Sequence, residues 1–278
     1  MTATIEAPER RIIYQRPEAL SEKSTHYCPG CGHGIIHRLI GELLDEMNLT
    51  ERTIGVASVG CSVFAYDYFD VDFVESPHGR APAVATGVRR VQPDKFVFTY
   101  QGDGDLAAIG TAEIIHAAAR GELLSVIFVN NGIYGMTGGQ MAPTTLLGQR
   151  TTSSPLGREV GAAGVPIPIT EMLAVLPSVA YAARGSIANP QLIGRAKQML
   201  KRSFEIQEKK LGFSIVEILS TCPVGWGMTP TEAMHHLETE TMAAYPVGLF
   251  VDRARGVGQT LPAPVGKPAT RTAGTVEA

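Results

Sequence analysis

Gln101-Gly-Asp-Gly-Asp105 opens, and Asn130-Asn-Gly-Ile-Tyr-Gly-Met-Thr-Gly-Gly-Gln140 closes, the stretch that decides how this chain folds. Between those ends lie a helix-like run, Leu106 to Ala119, and a short apolar run, Leu123 to Val129, which together make one turn-helix-strand unit. Both polar ends therefore fall on one edge of a sheet. Lys95-Phe-Val-Phe-Thr-Tyr100 reads as the preceding strand, so Gly102-Asp103-Gly104 sits at a strand's carboxyl end, where α/β folds place ligands. The chemistry there suits phosphate and a hard cation. Gly102 and Gly104 let backbone N–H groups approach an anion at a helix N-terminus. Asp103 offers a carboxylate and Asn131 an amide oxygen, the donors Mg²⁺ prefers.

Gly102-x-Gly104-x-x-Ala107 after a strand also satisfies the loose dinucleotide fingerprint. That fingerprint wants an acidic residue about 20 residues on, to hold a ribose hydroxyl. The next strand ends in Asn130-Asn131 instead. A carboxylate between glycines, followed after a helix and a strand by an amide pair, looks like the thiamine diphosphate signature. In that family the aspartate and the second asparagine bind Mg²⁺ with a backbone carbonyl two residues on, which carries over to Asp103, Asn131 and Ile133. The bland reading, a polar turn with no ligand, leaves the spacing without a packing reason.

The 278 residues are 44% hydrophobic and 18% charged, enough for one large or two modest globular units with a substantial core. A formal charge of −3 gives no electrostatic reason to expect nucleic acid or an anionic membrane as partner. The longest apolar runs, such as Leu123 to Val129, fall far short of the roughly 20 residues a membrane-spanning helix needs. Glu6, Glu9, Arg10 and Arg11 replace the apolar core of a signal peptide. A cytoplasmic, reducing location is the expectation, and it governs how four cysteines are read.

Recurrent strand and helix signals argue for an α/β fold, a doubly wound, mostly parallel sheet with helices on both faces. Residues 1–24 read as an N-terminal arm that lies along a partner, 25–254 as the folded domain, and 255–278 as a tail of Pro, Gly, Ala and Thr, disordered unless captured. Ile36, Leu39, Ile40, Leu43, Leu44 and Met47 recur at helical spacing over Ile35 to Met47. Thr53–Ser58, Val71–Val74 and Phe213–Leu219 read as strands; Ala81–Val91, Thr170–Arg184, Gln191–Lys210 and Thr231–Tyr245 read as helices. Met141 to Arg158 is long and irregular, as functional or poorly ordered loops are.

The chain's four cysteines are Cys28, Cys31, Cys61 and Cys222. Cys61 and Cys222 each follow an expected strand, and the Cys28/Cys31 pair lies in a glycine-rich loop before a helix, so four thiolates could converge. In a reducing compartment that means tetrahedral zinc or an iron–sulfur cluster more often than disulfides, and the spacing alone does not separate the two. Pairing with thiamine diphosphate does. Oxidative decarboxylation of a 2-oxoacid leaves electrons that need an acceptor, and zinc has no redox chemistry to offer.

Cys28-Pro-Gly-Cys31-Gly-His33-Gly34, Gly60-Cys61-Ser62, His78-Gly79-Arg80-Ala81, Gly102-Asp103-Gly104-Asp105 and the Asn130–Gln140 stretch together resemble the β subunit of 2-oxoacid:ferredoxin oxidoreductases, from about His26 to Pro230. The resemblance implies that Cys28, Cys31, Cys61 and Cys222 hold a [4Fe–4S] cluster. It implies that His33, Gly60, Cys61, Ser62, His78, Gly79, Gly102, Asp103, Gly104, Asp105, Asn131, Ile133, Tyr134, Gly135 and Thr137 line the cofactor. His78 and Arg80 become candidate catalytic residues, although Arg80 could equally start a helix and pair structurally. The activating glutamate is supplied in this family by a separate pyrimidine-binding domain, and no second α/β unit is long enough here to be one. An α subunit carrying that domain is the expected partner, beside a ferredoxin or ferredoxin-like subunit, with coenzyme A as co-substrate.

The reaction this implies converts a 2-oxoacid and coenzyme A to acyl-CoA, CO₂ and reduced ferredoxin, or the reverse. Met136 to Thr145 lean towards 2-oxoglutarate or branched-chain acids over pyruvate. Two alternatives remain at this stage: a thiamine diphosphate decarboxylase or ligase without electron transfer, and a zinc-stabilised scaffold subunit with no bound cofactor.

Overall fold

Val97 and Phe98, Val126 to Val129, and Ile215 and Val216 are apolar runs buried on both sides, the pattern of strands covered by helices on each face. They belong to a seven-stranded sheet: β1 (Thr53–Ser58), β2 (Asp72–Ser76), β3 (Phe96–Gly102), β4 (Ser125–Asn130), β5 (Val179–Ser186), β6 (Phe213–Leu219) and β7 (Gly248–Asp252). The order across the sheet is β2-β1-β3-β4-β6-β5-β7. Every neighbouring pair is parallel except β5 with β7. This is a computed structural model, and it describes residues 13–258.

Helices α1 (His33–Glu46), α2 (Ala81–Val91), α3 (Thr111–Ala119), α4 (Ile169–Ala174), α5 (Pro190–Glu208) and α6 (Pro230–His236) include the main covering elements. α1 buries Ile36, Leu39, Ile40, Leu43 and Leu44, the face its spacing predicts. α5 begins where Asn189 accepts a bond from the Leu192 N–H and Pro190 occupies the first turn, a start signal read directly from the residues. Because β1 has β2 on one side and β3 on the other, the loops leaving their carboxyl ends diverge and open a crevice. No helix among the described residues is long and apolar enough to cross a membrane.

The structure departs from the sequence reading in four places. Thr170–Arg184 is not one helix: α4 ends at Ala174 and β5 follows, with every residue of the strand buried. The helix expected over Leu106–Ala119 is broken, a π-helical turn at Asp105–Ile109 giving way at Gly110 to α3. Thr231–Tyr245 is likewise α6, a π-helical turn at Leu237–Thr241 and a short Met242–Ala244 turn. Finally, residues 17–20 lie on the chain's own domain. Ala19 is fully buried, and the N–H groups of Glu18 and Ala19 donate to Asp45 at 2.6 and 3.0 Å. The expected tail falls almost wholly outside the described residues.

The Met141–Arg158 segment is ordered from within. Arg158 is 5% exposed, and its guanidinium donates to the carbonyls of Ala142, Pro143, Thr145, Ala163, Gly164 and Val165. Six carbonyl acceptors replace a carboxylate partner, so one side chain ties both ends of the loop together.

A second buried network anchors β4. Glu217 on β6 accepts from the Asn130 amide at 2.7 Å and the Thr170 hydroxyl at 2.6 Å, and pairs with the fully buried Arg184 at 2.8 Å. Arg184 also donates to Glu171 at 2.8 and 2.5 Å. Removing one member leaves the other charge buried and short of a partner, so Glu217→Ala should cost about 3–5 kcal/mol in a denaturant titration. A loss below about 1 kcal/mol would mean that Arg184 finds compensation elsewhere.

Candidate functional site

The crevice between β1 and β3 is a cavity of about 230 Å³. The loop after β1 supplies Val59, Gly60, Cys61 and Ser62, and the β3 end supplies Gly102 to Asp105. Asn131, Ile133 and Tyr134 to Thr137 come from the turn after β4, with His33 from α1 and His78 from the loop after β2. Residues spread over about a hundred positions are thus collected by parallel strands ending at one edge. Of the residues singled out for the cofactor, Gly79 alone lies outside the lining, and Val59 and Met136 join it.

Asp103 is buried in this wall. Its carboxylate accepts from the N–H groups of Gly104 at 2.8 Å and Gly132 at 2.6 Å and from the Thr144 hydroxyl at 2.6 Å. Burial pushes its pKa up to about 6 despite those bonds. A buried carboxylate met by neutral donors is what a hard cation relieves, so the residues fit Mg²⁺. Asn131 is also buried, its side-chain oxygen accepting from the Ile133 N–H at 3.2 Å. Gly60 and Gly102 have open space where a Cβ would stand, which leaves their backbones accessible to an anion. Gly104 is required for another reason: a Cβ there would sit 2.1 Å from the Tyr134 ring, whose hydroxyl donates to the Gly104 carbonyl at 3.1 Å.

Two histidines line the cavity, with their pKa values shifted in opposite directions. Burial, with His26 nearby, pushes His33 down to about 3, so it is neutral, and Nδ1 meets the Tyr100 hydroxyl at 2.5 Å. His78 is raised above the ordinary value by its bond to Asp105. Its Nδ1 lies 2.9 Å from Asp105 and 2.8 Å from the Val59 carbonyl. Both neighbours accept, so Nδ1 carries the proton.

Cys61 and Cys222 lie together beside this cavity, and Cys28 and Cys31 stand near enough to act on their neighbours electrostatically. Sulfurs of Cys222 and Cys61 would stand 3.1 and 3.5 Å from a Cβ on Gly135, and the Cys222 sulfur 2.8 Å from one on Gly225. Burial pushes Cys31 up to about 11; Cys61 and Cys28 add to it, while the His33 N–H opposes. Burial likewise takes Cys222 up to about 12, with Cys31 and Cys61 adding, and raises Cys61, with Cys28 adding. Each sulfur therefore feels its neighbours. Backbone N–H groups of His33, Met136 and Gly225 point at Cys31, Cys61 and Cys222, whereas Cys28 is exposed. Among the described residues no three His, Cys, Asp or Glu side chains converge as ligands of a single ion. A Cβ on Gly135 would crowd the Cys222 and Cys61 sulfurs, so if these cysteines hold iron, Gly135→Ala should lower the iron retained after anaerobic reconstitution while leaving the circular dichroism unchanged.

Arg80 is not brought to the cavity. It precedes α2, donates to the Ile109 carbonyl at 3.3 Å and forms an ion pair with Glu113, the structural alternative left open by the sequence. Gly79 has φ +80° and its N–H donates to Asp105 at 2.5 Å. Thr144 supports Asp103, and Ser58 and Gln101 support Asp105; Thr144 and Ser58 carry no motif to mark them, and Asp103 and Thr144 meet across 41 residues.

Residues 58–217 match the family described as thiamine pyrophosphate enzyme, C-terminal TPP binding domain. The chain is 48% identical over 242 residues to ketoisovalerate oxidoreductase subunit VorA of Methanothermobacter thermautotrophicus, covering 87% of this chain and 51% of that protein. It thus spans about half the length of that relative. It is 38% identical over 203 residues to 2-oxoglutarate synthase subunit KorB of Methanocaldococcus jannaschii, covering 72% of this chain and 70% of that protein. Among solved structures it is similar to 2-oxoglutarate:ferredoxin oxidoreductase from Magnetococcus marinus with 2-oxoglutarate, coenzyme A and succinyl-CoA bound. That match has a TM-score of 0.70 at 26% identity and covers 93% of this chain and 90% of the other.

Proposed function

This chain belongs to the 2-oxoacid:ferredoxin oxidoreductase subunits that carry a thiamine diphosphate-binding domain, and we propose that it holds both thiamine diphosphate with Mg²⁺ and a [4Fe–4S] cluster. The reaction joins a 2-oxoacid and coenzyme A and yields acyl-CoA, CO₂ and two reduced ferredoxins, or runs in reverse. One observation supports the reading: Cys61 lines the cavity and meets Cys222 around Gly135, so a sulfur ring made by the four cysteines would share a wall with the cofactor cavity. Electron source and acceptor would then be neighbours across a single wall.

Asp103, Asn131 and the Ile133 carbonyl would hold the cation, and Gly102, Gly104 and His78 would face the diphosphate. Cys28, Cys31, Cys61 and Cys222 would hold the cluster. Bound there, thiamine diphosphate supplies the carbanion chemistry that releases CO₂, and the cluster accepts electrons one at a time. The chain's own residues position these groups, keep water from the cavity and, at Cys28, bring one ligand to the surface where an electron carrier can approach. A pyrimidine-binding partner subunit completes the site with the activating carboxylate.

Branched-chain 2-oxoacids are the favoured substrates. The lining contributed by this chain offers Val59, Ile133 and Met136 and no Lys or Arg to meet a second carboxylate, and identity to the ketoisovalerate relative exceeds that to the 2-oxoglutarate relative. The test is coenzyme A-dependent reduction of a one-electron dye by the complex of this chain with its partner, over a panel of 2-oxoacids. The expected order is 2-oxoisovalerate first; turnover without any electron acceptor would replace the reading with a non-oxidative decarboxylase.

A further inference from the structure

Asp105 was read from the sequence as facing the cofactor, yet its carboxylate is occupied by the protein. Oδ1 accepts from the Ser58 hydroxyl at 2.7 Å and the Gly79 N–H at 2.5 Å and lies 2.9 Å from His78 Nδ1; Oδ2 accepts from the Gln101 amide at 2.5 Å. The residue is 3% exposed. Its four donors come from three separate places at the sheet edge: the end of β1, the loop after β2 and the end of β3. One carboxylate therefore knots together the loops that wall the crevice.

The backbone around it is built for close approach. Asp105 opens the π-helical turn, and its own carbonyl accepts the Gly110 N–H at 3.0 Å, the five-residue reach of that turn. A Cβ on Gly110 would stand 2.8 Å from the Gly79 carbonyl, and one on Gly79 would stand 2.8 Å from the Gly110 nitrogen. The π-turn and the Pro77–Gly79 loop thus touch backbone to backbone, with Asp105 bonded across the contact. His78 ends with Nδ1 engaged on Asp105 and Val59, which leaves Nε2 as the nitrogen available to the cavity that His78 lines.

We propose that the Asp105 side chain is a positioning residue that acts through His78, fixing the ring so that Nε2 faces the phosphate end of the cofactor. Nδ1 has two acceptors, the Val59 carbonyl and Asp105, and Asp105 is the charged one, so it fixes the ring's direction and tautomer as a carboxylate does for a metal-bound histidine. The hydrogen bond to Asp105 also raises the His78 pKa, which favours the imidazolium beside an anion. This inference rests on the thiamine diphosphate reading and adds to it a side-chain role with no cofactor contact.

The test is a double-mutant cycle on the full chain with its partner subunit, read as the affinity for thiamine diphosphate with saturating Mg²⁺ by calorimetry. Asp105→Asn should weaken binding about 10–100-fold, the range seen when groups orienting a ligand are lost. In a His78→Asn background the same change should cost less than about threefold, because its route is gone. Equal losses in both backgrounds, with tight wild-type binding, would overturn the inference alone. No binding by the wild type would overturn it together with the cofactor reading. Because Asp105→Asn could loosen the knot as a whole, ¹⁵N spectra of histidine-labelled wild-type protein at alkaline pH supply a second reading. The His78 signal should report a protonated Nδ1 and a bare Nε2, and the opposite tautomer would overturn the proposal.

Discussion

Replacing Cys222 with alanine is expected to abolish 2-oxoacid-dependent reduction of a one-electron acceptor, a loss of about 10³-fold or more, since the proposed cluster is the group that would take the electrons singly. Cys222 is the informative choice among the four cysteines. Cys61 also lines the cavity, so its loss would disturb two sites at once, whereas Cys222 would join the proposed sulfur ring from the loop after β6 without lining the cavity. Thiamine diphosphate binding should therefore persist in Cys222→Ala while the visible absorbance of the cluster is lost. Unchanged turnover in that variant would mark a thiamine diphosphate enzyme with no electron transfer.

Asp103→Ala should weaken the combined binding of Mg²⁺ and thiamine diphosphate by more than about 100-fold. Groups that merely orient a metal ligand are worth about 10–100-fold, and Asp103 would be a ligand itself. Its acid–base behaviour gives a sharper check. The carboxyl stands at about 6 in the unliganded fold against an ordinary 3.8. Cation and proton compete for the same oxygens, so apparent affinity should be full above about pH 7 and fall roughly tenfold per pH unit below about 6. Folding follows the opposite sign. A folded-state value above the unfolded one means that the native state holds the extra proton between about pH 4 and 6, so this group's contribution to the stability of the unliganded protein declines as pH rises through that window. Denaturant titrations at pH 5 and pH 7, each with and without Mg²⁺ and thiamine diphosphate, should show the cofactor's stabilisation to be larger at the higher pH.

Much of this was legible in the residues because function and fold use the same positions. Thr53–Ser58, Ala81–Val91 and Phe213–Leu219 have the observed boundaries because each is closed by turn or cap residues that interrupt an apolar pattern. The motif residues gather at one edge because a parallel sheet returns every strand's carboxyl end there. β5 was not legible. Val179-Ala-Tyr-Ala-Ala-Arg-Gly-Ser186 carries the alanines of a helix and no alternation, since a strand covered on both faces has no polar side to betray its period. An arginine in its middle also argues for a solvent-facing helix, and its burial is made tolerable by Glu217 and Glu171, brought from elsewhere in the chain, together with the Pro246 carbonyl. β7 is an antiparallel edge strand of five residues, too short to stand out beside Pro246.

Among the site residues, Asp103, Asn131 and the cysteines announced themselves by type and spacing. Arg80 did not declare its partner, because Glu113 lies 33 residues away on α3 and no local rule links them. The same limit hid the partners of Asp105. Its neighbours in sequence suggest a cofactor ligand, whereas Ser58, Gly79 and His78 become its partners only when three strand ends meet.

Low-temperature electron paramagnetic resonance of the anaerobically reconstituted and dithionite-reduced protein bears most directly on a shared wall between cofactor cavity and sulfur ring. The predicted result is the signal of a reduced [4Fe–4S] cluster, with about four irons per chain, whose line shape changes when thiamine diphosphate and Mg²⁺ are added. Bound zinc with no iron and no signal, or a cluster signal indifferent to the cofactor, would contradict it.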